Sequence, residues 1–69
     1  MNVTALPTIE YADGRAARVY IHEDGVVTLE LLADLGRTRI NFTFRTRAEA
    51  GRLATALGEA AAAGGGRSE

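Results

Sequence analysis

Residues 17–31, Ala-Arg-Val-Tyr-Ile-His-Glu-Asp-Gly-Val-Val-Thr-Leu-Glu-Leu, hold two alternating segments on either side of Asp24-Gly25. Alternation of apolar and polar residues is typical of a strand with one buried face, and an Asp-Gly pair supplies the positive φ of a tight turn. A three-residue loop at positions 23–25 would pair Ile21 with Val27 and place the apolar residues of both strands on one face. The stretch therefore predicts an antiparallel hairpin.

Two more turn signals, Asp13-Gly14 and Leu35-Gly36, lie eleven residues before and after the first one. This spacing is typical of short antiparallel strands. The apolar residues stand at odd positions up to Leu31 and at even positions in the last strand, and an even-length loop through 34–37 would bring Leu31 opposite Ile40. All four strands then turn their apolar residues to the same side.

The first hairpin is less determined. A loop through Arg15 would set Tyr11 beside Ala17 and Ile9 beside Val19. Residues 1–7 are assigned to an N-terminal arm that precedes the domain.

After Arg45 the apolar period changes from two to 3.6, and Thr46-Arg47-Ala48-Glu49 has the form of a capping box. The pattern predicts a helix from Arg47 to about Ala62. We therefore expect an α+β fold over residues 8–62, a four-stranded antiparallel β-meander followed by one C-terminal α-helix packed on one sheet face, with residues 63–69 forming a disordered Gly-rich tail.

The chain has 69 residues and no cysteine. A chain this short buries only about 60% of its unfolded surface, and disulfides and thiolate metal sites are excluded, so self-association is the expected source of further stability. One helix, about 10–12 Å across, cannot cover a sheet about 19 Å wide. We expect a homodimer, built either through helices carrying Leu53 and Leu57 or through the edge strands.

The opposite sheet face is polar, and it carries Arg18, Tyr20, Arg39 and Arg45 as candidate nucleic-acid-binding residues. The guanidinium groups would meet phosphates and a base would stack on Tyr20, as on other surfaces that bind single strands. In the alternative interpretation Arg18 pairs with Glu30 and the other charges are only solvated.

The residues offer no catalytic or metal site. His22 is the only imidazole, the only serine is Ser68, and the carboxylates fall at turns, at a helix cap or opposite an arginine. We expect no enzymatic activity and no cofactor. No signal peptide or membrane span is recognisable, and a cytoplasmic location is expected; the formal charge of -1 gives the whole molecule no general attraction to nucleic acid or membranes.

The segment from Arg39 to Phe44, followed by Thr46–Glu49 and Leu53, resembles the last strand, the acidic helix cap and the first buried helical residue of the single-strand-binding domains of positive cofactor four and of the Whirly and Pur-type modules. The resemblance covers residues 8–62 in topology. It implies a homodimer whose sheet faces, opposite the helices, bind single-stranded nucleic acid. The helix segment is also similar to the ends of short uncharacterised actinobacterial and phage proteins.

Two functions are therefore expected. The first is a non-catalytic homodimeric interaction module, such as a phage or regulatory adaptor, that binds a protein partner by edge-strand addition or through its apolar sheet margin. The alternative is a single-stranded nucleic-acid-binding protein that uses the open sheet face.

Overall fold

The computed structural model describes residues 2–63 and has the expected α+β architecture, an antiparallel sheet followed by one C-terminal helix. The strands pair in the order β1-β3-β4-β5, and β2 pairs with β3 beside β1. The elements are β1 (Val3–Ala5), β2 (Ile9–Glu10), β3 (Ala16–His22), β4 (Val27–Ala33), a 3₁₀ turn (Asp34–Gly36), β5 (Thr38–Phe44) and α1 (Arg47–Ala63).

The central hairpin has the predicted register. Ile21 pairs with Val27, and the loop closes through a hydrogen bond of 2.8 Å from the His22 N–H to the Val26 carbonyl. Gly25 has a φ of 92°, the left-handed conformation that glycine adopts without steric cost. The Asp24 carboxylate accepts the Val26 N–H at 3.1 Å and so fixes the turn.

The pairing of β4 with β5 is also confirmed. Leu31 lies opposite Ile40, and the four-residue loop shifts the parity once, as expected. One side of the sheet is consequently apolar, and we call it the apolar face. It comprises Ala17, Val19, Ile21, Val27, Leu29, Leu31, Ile40, Phe42 and Phe44.

The register expected for the first hairpin is wrong by two residues, because Ile9 pairs with Ala17 and not with Val19. The loop is shorter than expected: the Tyr11 N–H donates to the Arg15 carbonyl at 2.9 Å, and the Asp13 carboxylate accepts the Arg15 N–H at 3.2 Å. This is the same three-residue loop as in the central hairpin. Since a shift of two residues preserves parity, Ile9 keeps the predicted face.

The residues assigned to an N-terminal arm contain a strand of the sheet. In β1, Ala5 pairs with Tyr20, and the Leu6 N–H donates to the Val19 carbonyl at 2.9 Å. Pro7 has no N–H to donate, and the chain is out of strand conformation around it, so β1 and β2 occupy the same edge of β3 as two short pieces. The sheet thus begins at Val3. Ala63 of the expected tail is helical, and residues 64–69 lie outside the described part of the chain.

Helix α1 covers only one corner of the apolar face. One half of the predicted capping box forms, with the Glu49 N–H donating to Thr46 Oγ1 at 3.2 Å. Glu49 Oε1 accepts the N–H of Arg45, the residue before the cap, at 3.0 Å, and not that of Thr46. None of the helical residues is buried. The residues that line the narrow space under the helix are Val19, Val27, Leu29, Phe44, Ala50, Leu53, Ala54 and Leu57.

The hydrophobic core of one copy is small. Ala17, Val27 and Phe44 are the buried apolar residues of the described chain, and none of its large side chains is fully enclosed. The accessible surface of 5598 Å² exceeds the value of about 4,200 Å² expected for a compact monomer of this mass. The radius of gyration, 13.6 Å, likewise exceeds the expected value of about 11 Å. Ile40 and Phe42 of the apolar face are each more than half exposed, so a single copy leaves much of this face in water.

Substitution of Leu35 by Asn is expected to stabilise the protein. Leu35 has a φ of 58° and is 86% exposed, and asparagine tolerates this left-handed conformation better than leucine. We expect a gain of about 0.5–1 kcal/mol in the free energy of unfolding and a rise in Tm of about 4–8 °C per kcal/mol, measured by thermal unfolding.

Leu6→Asn is the control, since Leu6 is exposed and has no positive φ. It is expected to give no such gain. A lower Tm for Leu35→Asn would show that the packing of Leu35 on Gly14, where a Cβ would stand 3.1 Å from Leu35 Cδ2, outweighs the backbone strain.

Candidate functional site

The polar side of the sheet is organised around Glu30, which is only 7% exposed. The register places Arg18 on β3 opposite Glu30 on β4, and Arg39 reaches the same carboxylate from β5. Arg39 Nε lies 3.2 Å from Glu30 Oε2, and Arg18 Nη1 lies 3.6 Å from Oε1. The Tyr20 hydroxyl donates to Oε1 at 3.0 Å. We call these four residues the Glu30 cluster.

The Glu30 cluster contains two guanidinium groups and one carboxylate, so Glu30 offsets one of the two positive charges. The Tyr20 hydroxyl and, after it, the Glu30 carboxylate raise the pKa of the Arg18 guanidinium above its ordinary value. Arg18 and Arg39 both lie within ion-pair distance of the same buried carboxylate. Both guanidinium groups are therefore held in place by a protein carboxylate, which reduces what they can offer to a phosphate.

Three of the four candidate nucleic-acid-binding residues thus come together, and Arg45 does not join them. Arg45 follows the end of β5 and is exposed at the start of the helix cap. The predicted pairing of Arg18 with Glu30 is present, whereas Arg39 and Tyr20 also converge on this carboxylate.

His22 has a structural partner on the same face. Its Nε2 lies 3.0 Å from Thr28 Oγ1 across the β3–β4 pair. Within residues 2–63, no group of three or more histidine, aspartate or glutamate side chains is arranged to hold a metal ion.

The apolar side contains an open groove of about 700 Å³ between the helix and the outer half of the sheet, which we call the helix-side groove. Its floor is formed by β4 and β5, and Phe42 and Ile40 are 58% and 59% exposed. Glu49 and Arg52 stand at its helical wall. The lining residues are Leu29, Leu31, Ile40, Phe42, Phe44, Glu49, Arg52 and Leu53.

The two leucines predicted to form a dimer interface occupy different positions. Leu53 borders both the helix-side groove and the space under the helix. Leu57 lies over β3 and β4 and is 60% exposed. Ile40 and Phe42, on the sheet face that the sequence predicted to be partly covered by the helix, are as exposed as Leu57.

Charge is distributed unevenly over the chain, a feature that the net value of -1 conceals. Residues 37–52, which comprise the end of the β4–β5 loop, β5 and the first turns of α1, hold five arginines and a single acid, Glu49. Residues 2–36 hold two arginines and six acids. The arginines of this basic margin are Arg37, Arg39, Arg45, Arg47 and Arg52. Counting charge by segment would have revealed the margin from the sequence.

Comparison of the chain with protein-family models, with curated proteins and with solved structures finds no match. No match supports the resemblance to positive cofactor four that the sequence suggested. None of the helical segments in residues 2–63 is long and apolar enough to cross a membrane.

Proposed function

We propose that the protein is a non-catalytic interaction module that acts as a homodimer, in which two copies cover each other's apolar faces. The observation that carries this proposal is the helix-side groove, an apolar surface left open although only three apolar residues between positions 2 and 63 are buried. Soluble monomers rarely expose apolar patches larger than a few hundred Å².

The exposed area is of the size that a dimer needs. With each aromatic or aliphatic side chain offering up to about 200 Å², the exposed parts of seven such residues amount to roughly 650 Å². A standard interface buries about 800 Å² per partner. The residues are Ile9, Tyr11, Leu31, Ile40, Phe42, Leu53 and Leu57.

The rim of the helix-side groove carries one charge of each sign. Arg52 and Glu49 lie three residues apart on the groove side of α1, and no carboxylate of residues 2–63 lies within ion-pair distance of Arg52. In a two-fold dimer the same patch meets itself, so Arg52 of each copy can face Glu49 of the other. The rim is thus self-complementary in charge.

Four carboxylates of residues 2–63 have structural roles, which supports a non-catalytic function. Arg15 donates hydrogen bonds from its side chain and its backbone N–H to Asp13 and so lowers the pKa of that carboxyl group. Asp24 fixes the central turn, Glu49 caps the helix, and Glu30 holds two arginines.

Binding of single-stranded nucleic acid has less support. The Glu30 carboxylate forms ion pairs with Arg18 and Arg39, and the Tyr20 hydroxyl donates to the same group. Arg45 is the candidate that stands outside this cluster. We therefore rank this function second.

Sedimentation of the full chain tests the dimer. We expect a mass of twice 7.3 kDa at micromolar concentrations and a Tm that rises with protein concentration, because unfolding is then coupled to dissociation. A monomeric mass at about 100 µM, with a Tm independent of concentration, would contradict the proposal.

A further inference from the structure

The outer edge of β5 is open, and it is the better of the two sheet edges for accepting another strand. β5 is the last strand in the order of the sheet, runs for seven residues and contains neither proline nor glycine. Nothing within residues 2–63 pairs with its outer side. The other edge consists of two short strands separated around Pro7. An interruption of that kind hinders the pairing of another strand, whereas an uninterrupted edge strand can pair with one along its whole length.

The open edge coincides with the basic margin. Arg37 precedes β5, Arg45 and Arg47 follow it, and Arg52 stands at the wall of the adjacent groove. Within residues 37–52 the only acid is Glu49, and its carboxylate already accepts the Arg45 N–H. A segment lying along β5 therefore meets positive charge at both ends of the strand.

This charge argues against a second copy at the β5 edge. Two β5 strands paired about a two-fold axis would bring Arg37, Arg45 and Arg47 of each chain to one seam, and like charges brought together across a pair destabilise it. The side chains of the apolar face stand perpendicular to the sheet, whereas the outward N–H and C=O groups of β5 lie in its plane. The proposed dimer covers Ile40 and Phe42 from the apolar side and leaves these backbone groups unpaired.

The chemistry of the edge favours a peptide over a nucleic acid. An added peptide strand presents N–H and C=O groups at the same spacing as β5 and can pair with its outward N–H and C=O groups. A sugar-phosphate backbone does not present donors and acceptors at that spacing. Ile40 and Phe42 point to the apolar face beside the edge, where they offer contacts to apolar side chains of the incoming strand. The only aromatic residue that the sequence offered for base stacking, Tyr20, belongs to the Glu30 cluster.

We propose that the β5 edge binds an extended acidic peptide of a partner protein in which acidic and apolar residues alternate. The peptide adds as a further strand of the sheet, its apolar side chains beside Ile40 and Phe42 and its carboxylates near Arg37 and Arg45. This inference deepens the interaction module proposed above by naming the class of partner, and it does not depend on dimerisation.

The test uses the full chain and a capped peptide of alternating Glu and Val residues, titrated at low salt. Amide hydrogen exchange of Thr38–Phe44 is the readout, because an added strand protects the outward N–H groups of β5. We expect protection at peptide concentrations of tens to hundreds of micromolar, lost as the salt concentration rises. Arg45→Glu and Arg37→Glu are each expected to weaken binding at least about fivefold.

Two controls are matched to these variants and to the probe. Arg15→Glu makes the same change of charge on the β2–β3 hairpin, two strands from β5, and is expected to change binding less than about twofold. A peptide of alternating Lys and Val residues is expected not to protect β5.

Three results would overturn the inference. The first is the absence of protection by the acidic peptide at millimolar concentration. The second is tighter binding of oligodeoxythymidylate on the same residues, which would make nucleic acid the occupant. The third is protection of the outward β5 amides in the free protein, which would place a second copy at this edge. Sedimentation of the same samples distinguishes failure of the homodimer proposal from failure of the peptide-binding proposal. A monomer that binds the peptide would contradict only the homodimer.

Discussion

Replacement of Glu30 by glutamine is expected to lower the free energy of unfolding by about 2–3 kcal/mol. The carboxylate is 7% exposed and lies 3.2 Å from Arg39 and 3.6 Å from Arg18. Removing one member of a buried ion pair leaves the other charges uncompensated, which costs about 3–5 kcal/mol when all partners are buried. We expect less here, because both arginine side chains are about half exposed and water screens them.

Urea unfolding measures this effect, and Glu59→Gln is the matched control. Glu59 is an exposed residue of α1 outside any ion pair among residues 2–63, so its substitution should change the stability by less than about 0.5 kcal/mol. Tyr20→Phe removes one hydrogen bond to Glu30 and is expected to cost about 1 kcal/mol. Equal stabilities of Glu30→Gln and Glu59→Gln would show that Glu30 does not organise the polar face.

The Glu30→Gln variant also discriminates between the two functions. Without the carboxylate, Arg18 and Arg39 lose their counter-charge and become available to phosphate groups. If the polar face binds single strands, the affinity of the variant for an oligonucleotide should exceed that of the unaltered chain. An unchanged, negligible affinity fits the interaction module.

The parts of the fold that depend on local signals could be predicted from the sequence. Asp24-Gly25 determined the central turn, the change of parity after Leu31 required an even loop, and Thr46 with Glu49 marked the start of the helix. In each hairpin the turn residues selected one of the registers that keep the apolar residues on one side, and the cap residues marked where the helix begins. The structure follows these expectations.

The parts of the fold that were predicted wrongly did not follow from a sequence pattern with a single interpretation. Pairing Ile9 with Ala17 or with Val19 keeps Ile9 on the same face, so alternation alone could not choose between the two registers. Val3–Ala5 is a strand of three residues just before Leu6-Pro7, too short for a pattern to stand out. The pairing of Val3–Ala5 with β3 depends on tertiary structure and not on a local sequence pattern.

The site was partly visible in the sequence. Opposing positions in a hairpin suggested the pairing of Arg18 with Glu30, but the approach of Arg39 depends on the registers of three strands together. The helix-side groove depends on the position and direction in which α1 crosses the sheet. The periodicity of apolar residues in the helix does not determine either one. The basic margin follows directly from the positions of the arginines in the sequence, but the near-neutral net charge obscured it.

Phe42→Glu is expected to dissociate the proposed dimer while leaving the fold of each copy intact. Phe42 is 58% exposed at the floor of the helix-side groove, so a single copy tolerates a charge there, although the edge-to-face contact with Phe44 at 4.9 Å is lost. In the dimer this exposed part, about 115 Å², would be buried, which is worth about 3 kcal/mol per copy. Both copies of a two-fold dimer carry the change, and we expect the Kd to rise at least about 1,000-fold.

Sedimentation velocity measures whether the Phe42→Glu chain is monomeric, and circular dichroism measures whether each copy remains folded. Leu57→Asp serves as a second variant on α1, and it should also yield monomers if the helix takes part in the interface. Leu35→Glu introduces a charge on an exposed leucine outside the helix-side groove and should leave the dimer unchanged. Since the proposed dimer rests on the helix-side groove, a Phe42→Glu chain that still sediments as the dimer would mean that the copies associate elsewhere.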